Sequence, residues 1–141
     1  MNILVVAMPL WLALFGFATA SARPDETPVV EVTGWAVKFR DERFNQAYEF
    51  AVRIRNAADR RIDVIGVNLF FSDRRGRRIL GFPLRRTLHL KSGDEMVVDI
   101  EHPYSEYDLD ARRIETLDNW EVEVSVDLYE VLFSDGTSLR Q

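Results

Sequence analysis

Two histidines, His89 and His102, are the only side chains whose ordinary pKa lies near neutral pH, and no cysteine accompanies them. No His-x-x-x-His or comparable spacing is present, so a metal centre has no ligand pattern to start from. His102, Ser105 and Asp108 supply the residue types of a nucleophilic triad. They fall within one short stretch, and three groups in one loop do not normally reach the mutual geometry that proton relay needs; no Gly-x-Ser-x-Gly surrounds the serine either. Glu101, Glu106, Asp108 and Asp110 offer carboxylate oxygens for calcium. They lack the order of acids, glycine and distal glutamate of an EF-hand loop, and Arg112 and Arg113 sit beside them, so a solvated loop is expected. Glu121 and Glu123 lie about 7 Å apart on one strand face by the strand rise, and read as an exposed polar face. No catalytic residue, metal site or cofactor is predicted.

The remaining candidate is basic. Arg74, Arg75, Arg77 and Arg78 crowd into "SDRRGRR", with Arg85 and Arg86 close behind. Such a tip suits an anionic partner: lipid head groups, a surface polysaccharide or an acidic protein. A charged tip also discourages edge-to-edge aggregation. Trp35 and Trp120 each fall within an alternating strand, which predicts core packing in preference to a sugar-stacking platform. The net charge of −5, with acids and bases interspersed, argues against sequence-independent nucleic-acid binding.

The elements that must hold these residues are strands. "YEFAVRIR" puts Tyr48, Phe50, Val52 and Ile54 on one face, and "IDVIGVNLFF" does the same with Ile65, Val67, Leu69 and Phe71. "VVEVTGWAVKF" alternates until Gly34, where a bulge or kink is expected. "ILGFPL" reads as an edge or irregular strand because of Pro83, and "RRTLHL" as a separate short strand. "EMVVDIEH" places Met96, Val98 and Ile100 together. "WEVEVSVDLYEVLF" alternates from Trp120 to Leu128, and then its apolar phase flips to Tyr129, Val131 and Phe133, again the mark of a bulge or of a change of sheet. Residues 102–119 are the least strand-like, with room for one helical turn over 111–117. About seven strands at such spacing predict an all-β sandwich, with a barrel as the alternative.

The N-terminus differs from the rest. Residues 1–22 carry no charged side chain, and the apolar run over 3–17 leads into Ala18-Thr19-Ala20 and Ala20-Ser21-Ala22, small-x-small sites of the kind signal peptidase accepts. A signal helix cleaved after Ala20 or Ala22 is predicted, then a polar leader over 23–28 and one domain over 29–141. An uncleaved anchor with a periplasmic domain is the alternative, since the apolar segment approaches bilayer-spanning length and Arg23 lies beyond it. Sixteen arginines against two lysines suggest a GC-rich bacterial genome, and a periplasmic or secreted location follows. Lack of cysteine removes disulfides and thiolate chemistry.

Three stretches together, "AVRIRNAADRRIDVIGVNLFFSDRRGRRI", "LKSGDEMVVDI" and "VDLYEVLFSDGT", resemble FxLYD-type immunoglobulin-like domains. The matching positions are Asn56, Phe71, Asp73, Gly76, Leu90 and Gly93, while Ser72 stands where that motif has tyrosine. The resemblance covers residues 48–137. It implies an immunoglobulin-like antiparallel sandwich serving as a binding or structural module, and it transfers no catalytic residue. An exported, non-catalytic module of the cell envelope is therefore expected, with an envelope protein or anionic polymer as partner and Arg74, Arg75, Arg77 and Arg78 as its contact. A carbohydrate-binding module is the other reading. The echo between "LFFSDRRGRR" and "YEVLFSDGTSLR" is expected to be one turn solution used twice, because Asp and Ser start turns and Gly accepts positive φ.

Overall fold

The computed structural model describes residues 28–140; the expected signal segment over 1–22 lies outside them. Seven strands follow in order: β1 (Val30–Glu42), β2 (Asn45–Asn56), β3 (Ile62–Asp73), β4 (Arg78–Leu90), β5 (Glu95–Pro103), β6 (Val122–Phe133) and β7 (Ser138–Arg140). They form two antiparallel sheets, β1-β2-β5 and β4-β3-β6-β7, in a sandwich-like arrangement. The chain passes from one sheet to the other after β2, after β4 and after β5.

Period-2 patterning explains which faces meet. Tyr48, Phe50, Val52 and Ile54 of β2 are buried against Ile65, Val67, Leu69 and Phe71 of β3, as their alternation predicts. Both expected bulges are present. In β1 the register slips between Val32 and Gly34, leaving Thr33 without an opposite residue. That slip brings Trp35 inward, where its ring meets Phe71 edge-on at 5.4 Å.

In β6 the slip falls between Leu128 and Glu130, which face Val67 and Gly66. Tyr129 is the extra residue, and its ring lies across Gly66, where an added Cβ would sit 2.7 Å from Cζ. Glycine is needed at 66 because the bulge folds an aromatic ring onto the backbone.

Three expectations need correction. "ILGFPL" and "RRTLHL" are one continuous strand, β4, which does lie at a sheet edge with Pro83 opposite Asn68. Trp120 is not a strand residue: it sits in a 3-10 turn, Asn119–Glu121, and is 61% exposed, whereas Trp35 is buried as expected. Glu121 belongs to the same turn, so it does not share a strand face with Glu123. The turn forms because Asp118 and Glu121 cap each other. The Glu121 carboxylate accepts from the Asp118 N–H at 3.0 Å and the Asp118 carboxylate accepts from the Glu121 N–H, which also closes the turn on the Asp118 carbonyl at 2.8 Å.

Residues 104–121 close one end of the sandwich. Helix α1 (Leu109–Arg112) is capped by Asp108, whose carboxylate accepts from the Ala111 N–H at 3.0 Å. Ala111 and Ile114 are buried in the core. The β1–β2 tip at Arg43 and Phe44 and the β3–β4 turn share this end. At the opposite end the β2–β3, β4–β5 and β6–β7 connections meet around buried Asn56.

Candidate functional site

The arginine-bearing turn is organised by one carboxylate. The Asp73 N–H donates to the Arg77 carbonyl at 2.9 Å and the Gly76 N–H to the Asp73 carbonyl at 2.8 Å. Gly76 takes φ +75°. This is the three-residue hairpin loop in which a type I turn is followed by a left-handed residue, hence the glycine. The Asp73 side chain accepts from the N–H groups of Arg75 (3.0 Å) and Arg77 (2.9 Å), and its second oxygen from Arg77 Nε (3.1 Å) and Arg113 Nη2 (2.7 Å). Asp73 is nearly buried, and the Arg113 guanidinium, ahead of the Arg77 backbone, holds its carboxyl well below the ordinary range.

A depressed folded-state pKa gives stability that is present above the ordinary carboxylate value near 4 and lost as pH falls through the folded value. The Asp73→Asn protein should therefore melt roughly 5 °C lower at pH 7 and lose less stability than wild type between pH about 4 and 2. Parallel acid curves for the two proteins, followed by circular dichroism, would show that the Arg113–Asp73 contact does not contribute.

The second Phe-Ser-Asp turn has the same backbone at a different offset. There the Phe133 N–H donates to the Thr137 carbonyl at 2.9 Å and the Gly136 N–H to the Phe133 carbonyl at 3.0 Å, with Gly136 at φ +81°. The loop thus opens on Phe133 in one case and on Asp73, two residues after Phe71, in the other. The turn is shared; the tripeptides are not superimposable. Asp135 sits inside its loop, bound to the Thr137 N–H at 2.9 Å and to Arg60 at 3.0 Å.

The four predicted arginines do not act as one block. Arg77 is tied to Asp73. Arg78 covers the Phe70 ring at 3.8 Å on the outer face of the four-stranded sheet. Arg74 lies over the exposed Trp120 ring at 5.0 Å, and Trp120 Nε1 donates to Asp118 at 3.1 Å. The Arg75 side chain is exposed and has no partner among the described residues. Two arginines at the tip, Arg74 and Arg75, and one indole are therefore presented to solvent together.

Large exposed apolar side chains gather at this same end. Phe44 is 94% exposed at the β1–β2 tip with Arg43 over its ring at 5.7 Å, while Tyr107 and Leu109 project from the closing segment at 85% and 70%. None of the exposed large apolar side chains lies in the three connections at the opposite end. The sequence pattern assigns Trp120 to the core and gives Arg113 no role at this turn; the Asp118-x-x-Glu121 capping pattern is the signal that marks the tryptophan.

Several of the other candidates have structural partners. His102 Nε2 lies 3.0 Å from Asp108 Oδ2, and its ring stacks near Tyr48. The Ser105 hydroxyl instead accepts from the Tyr107 N–H at 3.3 Å. Glu101 binds Arg40 at 2.8 Å, and Asp108 caps α1. Among the described residues no group of three or more His, Cys, Asp or Glu is placed to hold a metal ion. His89 lies 3.2 Å from Asp63 on an exposed edge, at φ +52°. No protein-family model matches the chain, and no curated protein matches it.

Proposed function

We propose that this chain is an exported, non-catalytic binding or structural module of a bacterial cell envelope, and that it engages an acidic envelope protein or anionic polymer through the β3–β4 tip. The observation that carries this reading is the exposed Trp120 ring with the Arg74 guanidinium over it and Arg75 unpartnered alongside. Once a partner excludes water from it, an arginine–aromatic pair gives both charge attraction and apolar area, the combination found at binding hot spots.

An immunoglobulin-like sandwich of the FxLYD type is the proposed framework. Its support is the three-plus-four strand order and the way the resemblance positions cluster. Asn56, Leu90 and Gly93 meet in one hydrogen-bonded knot, Asp73 and Gly76 build the arginine turn, and Phe71 stands in the core between them. The periplasmic or secreted location rests on the apolar segment and the small-residue sites over 18–22.

A polysaccharide ligand is a second reading, favoured by the exposure of Trp120, since an exposed indole can stack on a sugar ring. Retention of the purified protein on envelope fractions tests both readings: loss on removing the arginines marks an acidic or anionic partner, and loss on removing the indole alone marks a neutral polysaccharide. The Arg74→Ala/Arg75→Ala double variant should be retained about tenfold less and with a weaker salt dependence. Trp120→Ala should lose retention at every salt concentration. Protease treatment of the envelope beforehand abolishes retention if the partner is a protein and spares it if the partner is a polymer. Equal retention of both variants and wild type contradicts the proposal.

A further inference from the structure

The strand edges of the two sheets are not equivalent. β6 pairs with β3 along its whole length, but β7 covers only Glu130, Val131 and Leu132 on its other side. From residue 122 to residue 128, β6 has no strand on the side away from β3 among the described residues. Alternate residues of that stretch turn their N–H and C=O groups toward the open side, a template for another strand.

Three other edges are blunted. β4 carries Pro83, which has no N–H to donate; β1 has the Thr33 bulge and bears Lys38 and Arg40; β5 ends at Pro103. Residues 122–128, Val-Glu-Val-Ser-Val-Asp-Leu, contain no proline, glycine or basic residue, and the bulge at Tyr129 comes only after them. Natural sheets seldom leave such a run open without a use for it.

Side-chain chemistry indicates what fits. The inner row is Val122, Val124, Val126 and Leu128, of which the last two are only half-buried. The outer row is Glu123, Ser125 and Asp127; Glu123 and Asp127 are exposed, and neither makes an ion pair with a described residue. β7 already shows the preferred pairing in this lane, with Leu139 opposite Val131 and Arg140 opposite Glu130, their charged groups 3.3 Å apart. A second copy of this chain is a poor occupant. Two β6 edges paired antiparallel about Ser125 would set Glu123 against Asp127 twice, and like charges directly opposite are destabilising.

We propose that the free side of β6 over residues 122–128 is a docking edge for an extended segment of another protein whose side chains alternate apolar and basic. Such a segment continues the lane that β7 begins, setting its basic residues against Asp127 and Glu123 and its apolar residues against Val126 and Val124. Main-chain hydrogen bonds supply affinity and the acidic outer row supplies selectivity. This edge adjoins the tip, since Val122 lies opposite Asp73, but it uses neither Arg74 nor Arg75.

The test uses labelled peptides of about seven residues: alternating Val-Arg, alternating Val-Glu, and the Val-Arg peptide N-methylated at every second amide. Fluorescence anisotropy should show binding of the first only, weakened about tenfold or more by Asp127→Arg. Hydrogen exchange should show added protection of β6 amides within residues 122–128. The Arg74→Ala/Arg75→Ala protein should bind the peptide as wild type does, so failure of the tip reading leaves this result intact. Binding of the N-methylated peptide as tight as its parent, unchanged β6 exchange, or equal binding of the Val-Glu peptide overturns the proposal. So does β6 protection that rises with protein concentration alone, which would assign the edge to a second copy.

Discussion

Phe71→Ala is expected to lower the unfolding free energy by about 3–5 kcal/mol, the largest loss for any single side chain in this core. Phe71 is fully buried, and its ring meets Phe50 at 4.9 Å, Trp35 at 5.4 Å and Phe82 at 5.8 Å. Those three rings come from β2, β1 and β4, so Phe71 joins both sheets at once. Collapse around the truncated side chain is hindered because the neighbours are rigid rings, and Trp35 is held in place by the bulge at Thr33. The residual cavity then adds to the lost transfer energy. In urea, the midpoint should fall with little change in slope. Phe44→Ala, which removes a ring that is 94% exposed, should stay within about 0.5 kcal/mol of wild type. Similar midpoints for the two variants would mean that the aromatic cluster is not the centre of the fold.

The second large effect is expected at Asn56. Its side chain is fully buried and completely used: Nδ2 donates to the carbonyls of Arg60 and Leu90, each at 2.9 Å, and Oδ1 accepts from the Ala58 N–H at 2.9 Å. Its backbone joins the same knot, donating to the Asp94 carbonyl at 3.0 Å and accepting from the Gly93 N–H at 2.8 Å. One residue thus pins the end of β2 to the β2–β3 connection and to the β4–β5 turn. Asn56→Ala leaves buried groups without partners and should cost about 2–4 kcal/mol. Asn56→Asp tests the assignment of the amide more sharply, because a carboxylate would face two carbonyl oxygens. The introduced acid must have a raised pKa in the folded state. Its deficit relative to wild type is therefore smallest below the unfolded value near 4, where the acid keeps one donor for the two carbonyls, and grows as pH rises toward 7. A deficit independent of pH would show that the amide does not face those carbonyls.

How much of this was legible in the sequence depended on whether local pattern or a distant partner decided the outcome. The inner rows of β2 and β3 were readable because strand pleating converts alternation directly into burial. The phase flip at Tyr129 and the glycine at 34 announced both bulges for the same reason. Trp120 misled because it continues the alternation of β6 by position, while the mutual capping of Asp118 and Glu121 turns the chain before the sheet begins. The arginine turn was located correctly, but its internal division was invisible. Asp73 is claimed by Arg113, 40 residues away, and Arg78 by Phe70 on the sheet face. Contacts between distant segments leave no local trace. The Phe-Ser-Asp echo shows the opposite case, in which a shared tripeptide concealed a two-residue offset between two turns of identical type.

The most direct test of the tip as the recognition surface is photo-crosslinking in the intact cell envelope. A photoreactive residue replaces Arg75 at the tip in one protein and Ser92 at the opposite end in another. A discrete adduct is expected from position 75, lost on Trp120→Ala, and none from position 92. An adduct from position 92 alone would contradict it, as would an adduct from position 75 that persists without the indole.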